Sequence, residues 1–363
     1  MCTNPNLMMK VQVNNDSIAE QEWFLKKKKF KVKDGYAWKF FGKANNMPDY
    51  DLWLRRENLP TFKEPEFVSV PCGCCIECRL QYSREWASRC MLEAASWKHN
   101  WFITLTYDDD HLPKGSLDNP TLVPEHFTQF MKDLRTKYKK EFDHDNVRFY
   151  GCGEYGDSSL RPHYHLILFN APLNDLTVDI PYIDKDTGKK LVIQKADQNG
   201  EPFYFSQFIK DCWKYGNILI GRVSWDSAAY VARYVLKKQK GINADFYKKY
   251  GMEPEFIRMS RRPGIAGDYF EINKEKILVD DKIYIYKHGG SVALTPPRFF
   301  SKLMEKNLTY NNTLCDNKIK RKERQKRRLL LEYSTSELSK VERDNQKDFL
   351  NKAKTLFKRN VGD

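Results

Sequence analysis

Two histidines separated by one residue, His163 and His165, stand directly before an apolar run, residues 166–169. Side chains alternate between the two faces of a β-strand, so both imidazoles would lie on one face and could bind one metal ion. An isolated His-x-His pair is more often two ordinary hydrogen-bonded histidines. The metal interpretation therefore depends on which other residues the fold brings to the pair.

Glu154 is the residue that could complete such a site. Residues 147–152 have the pattern of a strand, and the short stretch rich in Gly, Asp and Ser after them predicts an antiparallel neighbour at 163–169. Glu154 would then lie close to both imidazoles across the hairpin; the alternative is an exposed carboxylate in a turn. Two imidazoles and a carboxylate suit Mg²⁺ or Mn²⁺ when the substrate brings phosphate oxygens.

A second set of reactive groups lies on a helix predicted over residues 228–238. At about 100° per residue, Tyr230, Tyr234, Arg233 and Lys237 fall on one stripe, and the opposite stripe is apolar. The tyrosines could simply pack in a core or an interface. A phenolate is, however, a competent nucleophile toward phosphorus when cations and a metal ion assist its ionisation. Lys237 and Arg233 would neutralise the charge that develops on the phosphate.

Together these groups predict a phosphodiester transfer reaction. A metal ion held by His163, His165 and Glu154 would polarise the phosphodiester and orient it in line with Tyr230 or Tyr234. Tyrosine attack would form a covalent phosphotyrosine bond and release a free 3′-hydroxyl. Because that bond conserves the energy of the broken one, the same site could rejoin DNA without ATP.

The composition favours a nucleic acid partner. The 363 residues include 62 Lys and Arg against 48 Asp and Glu, a net charge of +14, and 41% of the residues are hydrophobic, enough for a core. The first 35 residues are polar and lysine-rich, and no apolar run is long enough to span a bilayer, so neither a signal peptide nor a membrane partner is expected.

A cysteine cluster at residues 72–78 indicates a second metal site. Nine cysteines in a reducing compartment favour metal ligands or free thiols over disulfides. Cys72, Cys75 and Cys78 form a double C-x-x-C ladder that suits a structural Zn²⁺ on a tight turn, although the usual second C-x-x-C pair is missing and a turn of free cysteines is the alternative. A fourth ligand could come from Cys2, Cys74 or Cys90.

The surrounding elements follow from hydrophobic periodicity. Residues 101–107 alternate as a strand, and Pro124 begins a helix with apolar residues at helical spacing. Residues 1–65 are expected to form an extended arm, and residues 174–202 a polar hairpin insert. Residues 271–363 would form a hairpin and a helical tail whose basic run, 318–328, could contact phosphates; a solvated charged helix is the alternative.

These motifs resemble a known family. Residues 163–165 resemble the His-hydrophobic-His (HUH) motif of rolling-circle replication initiators, residues 102–107 their first motif, and residues 230–238 their two-tyrosine motif. The resemblance is closer still to the replication initiation proteins of gokushovirus-type phages, the Microviridae, and covers about residues 68–270. Further stretches of that pattern recur here in order at 71–79, 83–86, 104–113, 153–156 and 260–265; the departure is Ala266, where the family pattern predicts glycine.

The resemblance implies an α+β fold with a central antiparallel β-sheet and helices on its faces, within a nicking-joining endonuclease domain at 66–270. It also implies site-specific nicking of a phage origin in single-stranded DNA through a 5′-phosphotyrosine intermediate. The carboxylate ligand of related initiators precedes the first histidine by a similar interval, which supports Glu154. The protein would act in the host bacterial cytoplasm, and because the chain lacks a Gly-x-x-x-x-Gly-Lys loop, a host helicase and polymerase would be partners.

Two other functional classes compete with this interpretation. A cupin-type metalloenzyme would share the His-x-His and carboxylate set, but it needs a further histidine, for which His288 is the candidate, and it leaves the tyrosine helix unexplained. A non-catalytic, zinc-stabilised DNA-binding protein would use only the cysteine cluster and the basic tail.

Overall fold

The computed structural model describes residues 5–13, 25–33, 36–43, 46–62, 65–73, 75–156, 159–183, 189–233, 245–287 and 290–332. These residues fall into two compact units, which divide between Gln81 and Tyr82; the second unit extends to Leu329.

The first unit contains a four-stranded antiparallel sheet. Its elements are β1 (Asn6–Gln12), β2 (Lys31–Lys33), β3 (Tyr36–Lys43), α1 (Tyr50–Glu57) and β4 (Glu66–Val70), and the strand order is β2-β3-β1-β4. Alternate residues of β1, including Met9 and Val11, are buried with Phe41 and Trp53. Where the sequence predicted an extended arm, these buried side chains form a core, because β1 and β3 pair over their full lengths.

The second unit is organised on a five-stranded antiparallel sheet. Its strands are β5 (Asn100–Tyr107), β6 (Arg148–Tyr155), β7 (Pro162–Phe169), β10 (Gly216–Arg222) and β11 (Phe256–Met259), in the order β10-β5-β7-β6-β11. The expected pairing of β6 with β7 is present. β8 (Ile180–Ile183) and β9 (Lys190–Ile193) pair as a separate antiparallel hairpin. The predicted α+β class with a central antiparallel sheet is confirmed.

One face of this sheet is covered by α3 (Pro124–Phe142). The apolar positions of α3 predicted from the helical spacing are buried against Leu105, Tyr164 and Leu166: Phe127, Phe130, Met131, Leu134 and Tyr138. Two shorter helices, α4 (Gln207–Lys210) and α6 (Asp245–Tyr250), contribute Phe208, Ile209 and Tyr247 to the same core.

The opposite face packs against α2 (Ile76–Ala95) and α5 (Trp225–Arg233). Trp86, Ala87 and Cys90 of α2 and the small apolar residues of α5 bury this face together with Ile167 and Phe169 of β7. Because side chains alternate along β7, His163 and His165 project to the same face as Ile167 and Phe169. The two histidines therefore lie on the side of the sheet where the predicted tyrosine helix packs.

The last elements of the second unit form a further apolar cluster. They are α7 (Gly267–Asp280), β12 (Ile283–Lys287), β13 (Gly290–Leu294), α8 (Arg298–Met304) and α9 (Leu308–Glu332). Phe270, Ile285 and Phe300 pack there with Leu92 of α2, and β12 and β13 form a two-stranded sheet of their own. Within the described part of the chain, no helix has both the length and the apolar character needed to cross a membrane.

Candidate active site

Glu154, His163 and His165 converge at one end of the central sheet. The β6–β7 register places Glu154 directly opposite His163. Glu154 Oε1 lies 2.7 Å from His163 Nε2 and 2.9 Å from His165 Nε2. Glu154 is 1% exposed and His165 is 5% exposed, so two imidazole nitrogens and a carboxylate oxygen meet in a nearly enclosed position.

The outer nitrogens of both imidazoles are held by hydrogen bonds. His163 Nδ1 lies 3.0 Å from the carbonyl oxygen of Arg161, and because a carbonyl only accepts, Nδ1 carries the hydrogen. His165 Nδ1 lies 3.0 Å from Thr104 Oγ1 on β5. Such partners set the ring orientation and direct the Nε2 atoms toward Glu154, an arrangement typical of histidines that bind metal ions.

The donor set fits a divalent cation. These three residues form one of the two groups among the described residues whose potential ligand atoms all lie within 4.8 Å of one another. A carboxylate and two imidazoles with further open positions suit Mg²⁺, Mn²⁺ and related ions. Because metal ligands must be deprotonated, ion binding here would displace the protons that otherwise lie between Glu154 and the two rings.

The electrostatics keep Glu154 ionised. Burial, the largest influence, raises the pKa of the Glu154 carboxyl, but hydrogen bonds and charge from His163 and His165 outweigh it. The net effect lowers the pKa below its ordinary value, so an anionic ligand is available at neutral pH.

Arg161, two residues before His163, fixes the start of β7. Its guanidinium donates to Asp109 Oδ1 at 2.6 Å and to the carbonyl oxygen of Tyr107 at 2.8 Å. The segment that carries His163 is thereby tied to the end of β5, the neighbouring strand.

Tyr230 on α5 lies against the histidines. Its ring centroid is 5.0 Å from that of His165, with the two planes at 87°. Phe102 of β5 stacks on His165 at 5.7 Å and meets the Tyr230 ring edge-on at 6.1 Å. Tyr230 is half-buried, whereas Ala228, Val231 and Ala232 are fully buried, so the predicted polar and apolar stripes of this helix are present.

The other predicted residues of the tyrosine motif, Tyr234 and Lys237, lie outside the described residues, as does His288. The last described turn of α5 ends at Arg233. The structure therefore brings Tyr230 to Glu154, His163 and His165, and the positions of Tyr234 and Lys237 stay predictions.

The cysteine cluster is assembled in part. The sulfur atoms of Cys72, Cys75 and Cys78 lie within 4.8 Å of one another. The expectation that Cys90 could be the fourth ligand is wrong, because Cys90 is fully buried in the apolar cluster under the sheet. It also lies twelve residues beyond Cys78 on the same continuous helix, a rise of about 18 Å. Cys2 and Cys74 lie outside the described residues.

The basic run at 318–328 lies on α9, as predicted for a helix. Lys318 pairs with Glu305 at 3.0 Å, and Arg321 forms a two-pronged ion pair with Asp281. At least these two cations of the run therefore hold α9 to the neighbouring helices, so the whole run is not a free phosphate-binding surface.

A buried polar network supports the motif at residues 260–265. Arg89 donates twice to the carbonyl oxygen of Ile265, and Arg148 donates to that of Pro263 at 2.8 Å. Glu93 pairs with Arg148 and accepts the N–H of Ala266. Ala266 has a φ of 64°, the left-handed region that glycine favours, which gives the departure from the family pattern a physical meaning.

Comparison with known proteins identifies the family. Replication-associated protein ORF2 of Spiroplasma virus 4 is 39% identical to this chain over 239 residues, which are 66% of this chain and 68% of the relative. The chain belongs to this family of phage replication-associated proteins. The resemblance found in the sequence is thereby confirmed.

Further matches agree with this membership. The family model for replication-associated proteins of the ORF2 type matches residues 100–239, the segment that contains the histidines, Glu154 and both tyrosines. Replication-associated protein VP4 of Bdellovibrio phage phiMH2K is 39% identical over 179 residues, 48% of this chain and 50% of the relative. Replication-associated protein ORF4 of Chlamydia phage 1 is 30% identical over 241 residues, 65% of this chain and 54% of the relative. No solved structure matches the chain.

Two residues of this replication-associated protein's site were missed in the sequence. Thr104 and Phe102 contact His165, and both belong to the alternating strand β5. Their two-residue spacing placed them on one face, but only the pairing of Thr104 opposite His165 shows which residues that face meets.

Proposed function

We propose that this replication-associated protein starts rolling-circle DNA replication by nicking and rejoining single-stranded DNA at a phage origin, with Tyr230 as a nucleophile. The observation that carries the proposal is the contact of the Tyr230 ring with His165, one of three convergent potential metal ligands. Neither a purely structural metal site nor a simple core helix accounts for a half-buried phenol at this position.

Glu154, His163 and His165 are the residues that would hold Mg²⁺ or Mn²⁺. When bound, the ion would polarise the phosphodiester and stabilise the charge that develops on its oxygens. The chain's own contribution is orientation: Thr104 and the Arg161 carbonyl hold the two rings. Phe102 packs against both His165 and Tyr230 and so sets the distance between the ligand and the nucleophile.

In the proposed reaction the Tyr230 hydroxyl loses its proton and its oxygen attacks phosphorus. The bond from phosphorus to the 3′-oxygen breaks, and that oxygen leaves as a 3′-hydroxyl after taking up a proton. The 5′-phosphate stays on tyrosine as a phosphodiester. Attack of a 3′-hydroxyl on this phosphotyrosine is the reverse reaction and rejoins the strand.

The remaining parts of the proposal concern the second nucleophile and the partners. Tyr234 would act as the second tyrosine, so that one tyrosine can hold an old end while the other cuts a new one, and Lys237 would neutralise phosphate charge. The net charge of +14 supports binding to single-stranded origin DNA. A host helicase and polymerase would supply unwinding and synthesis.

The test is a covalent adduct assay. The full chain is incubated with Mn²⁺ or Mg²⁺ and single-stranded oligonucleotides that tile the genome encoding it, and adducts are resolved on a denaturing gel. We expect an adduct with one oligonucleotide, its loss on chelation, and its loss in the double variant Tyr230→Phe, Tyr234→Phe. The single change Tyr230→Phe should remove the first cut and leave Mn²⁺ binding unchanged.

Tyr182→Phe is the matched control, because Tyr182 lies on the exposed hairpin strand β8. It should form the adduct at the wild-type level. No adduct with any oligonucleotide would favour the non-catalytic DNA-binding function. An adduct that survives the double tyrosine change would refute tyrosine as the nucleophile.

A further inference from the structure

Three cysteines between β4 and α2 take no part in the proposed reaction. The sulfur atoms of Cys72, Cys75 and Cys78 lie within 4.8 Å of one another, and their partly exposed side chains form no disulfide. We propose that these three thiolates bind one Zn²⁺ ion, at a site separate from that of the histidines.

The sulfur spacing fits one shared ion. A tetrahedral zinc ion with Zn–S bonds of about 2.3 Å places neighbouring sulfurs roughly 3.8 Å apart. Cys72 Sγ and Cys78 Sγ are 4.0 Å apart. A cation of zinc's size therefore fits between these sulfurs with little movement of either side chain.

The backbone around the cluster favours the thiolate form. The N–H of Cys75 donates to Cys72 Sγ at 3.2 Å, and a hydrogen bond to the charged form stabilises it. Cys75 immediately precedes α2 and Cys78 lies in its first turn, near the positive end of the helix dipole. Gly73 has a φ of +74°, so the turn that returns Cys75 to Cys72 uses a conformation that other residues rarely adopt.

The ligand chemistry selects zinc over the ion proposed for the histidine site. Thiolates are soft ligands that favour Zn²⁺, whereas Mg²⁺ and Mn²⁺ prefer oxygen. The described residues supply three of the four tetrahedral positions. The ion would link the end of the strand β4 to the first turn of α2, and its binding energy would stabilise this chain reversal.

Cobalt substitution in the full chain tests the site. Co²⁺ bound to thiolates has a strong sulfur-to-metal charge-transfer absorption, which a site of histidines and a carboxylate lacks. In reducing, zinc-free buffer we expect this absorption in the wild-type protein and its displacement by one equivalent of Zn²⁺. Cys72→Ser and Cys78→Ser should each lose it, whereas His165→Ala should retain it.

Cys315→Ser is the matched control, because Cys315 is an exposed cysteine on α9. No charge-transfer absorption in the wild-type protein, or equal loss in the Cys315 variant, would overturn the proposal. If the cluster variants fail to fold, alkylation of the wild-type chain decides: zinc should protect the three clustered thiols but not Cys315. Alkylation of all four at equal rates in the presence of zinc would refute the site.

Discussion

Thr104 offers a sharp test of how the histidine site is built. Its hydroxyl lies 3.0 Å from His165 Nδ1, and His165 is only 5% exposed. Thr104→Val keeps the shape of the side chain and removes this one hydrogen-bonding group. We predict that the variant folds normally and binds Mn²⁺ more weakly.

The magnitude follows from where the proton of His165 can reside. Without metal, the ring can carry its proton on Nε2, which faces Glu154 at 2.9 Å, and so avoid leaving a donor against valine. When Nε2 binds an ion, the proton must be on Nδ1, which is then buried without a partner. An unsatisfied buried donor costs about 1–3 kcal/mol, so Mn²⁺ affinity should fall between about 5-fold and about 150-fold.

Calorimetric titration with Mn²⁺, an ion that the cysteine cluster should bind poorly, measures the change. Thr106→Val is the matched control: it is the same substitution two residues along β5, and the Thr106 hydroxyl donates to the Asn217 carbonyl instead of an imidazole. Unchanged Mn²⁺ affinity in Thr104→Val, or an equal loss in both variants, would refute this account of the ring's orientation.

Two further predictions concern stability. Glu93→Gln should lower the free energy of unfolding by about 3–5 kcal/mol in urea denaturation, because it leaves the buried guanidinium of Arg148 without its anion; Glu271→Gln, at the exposed pair with Lys274, should change little. Burial raises the pKa of Tyr164 to about 12, so its stabilisation is complete below pH 10 and is lost as the pH rises through 12. Unfolding measured at pH 9 and pH 11 should show a loss of about 1 kcal/mol from this group, and Tyr164→Phe should show less pH dependence.

Local periodicity determined much of the site. Alternation in the strand placed His163 and His165 on one face, and the helical repeat separated the stripe of Tyr230 from the buried residues of α5. The short hairpin between β6 and β7 was enough to predict that Glu154 would meet the histidines. These features depend on neighbours in sequence, which is why the residue pattern alone contains them.

The same reasoning failed where the pattern is interrupted. β1 alternates clearly, but a polar and lysine-rich stretch separates it from β2 and β3, so residues 1–65 were interpreted as an arm. The structure pairs β1 between β3 and β4, and burial of Met9, Phe41 and Trp53 forms the core.

Only the tertiary structure decided which faces meet. Placing β5 beside β7 puts Thr104 and Phe102 on His165, and packing α5 on the same face brings in Tyr230. Glu93 likewise meets Ala266 although 173 positions separate them in the chain. Such contacts depend on strand order and on which apolar surfaces bury each other, and neither is specified by the local dihedral preferences that produce the sequence periodicities.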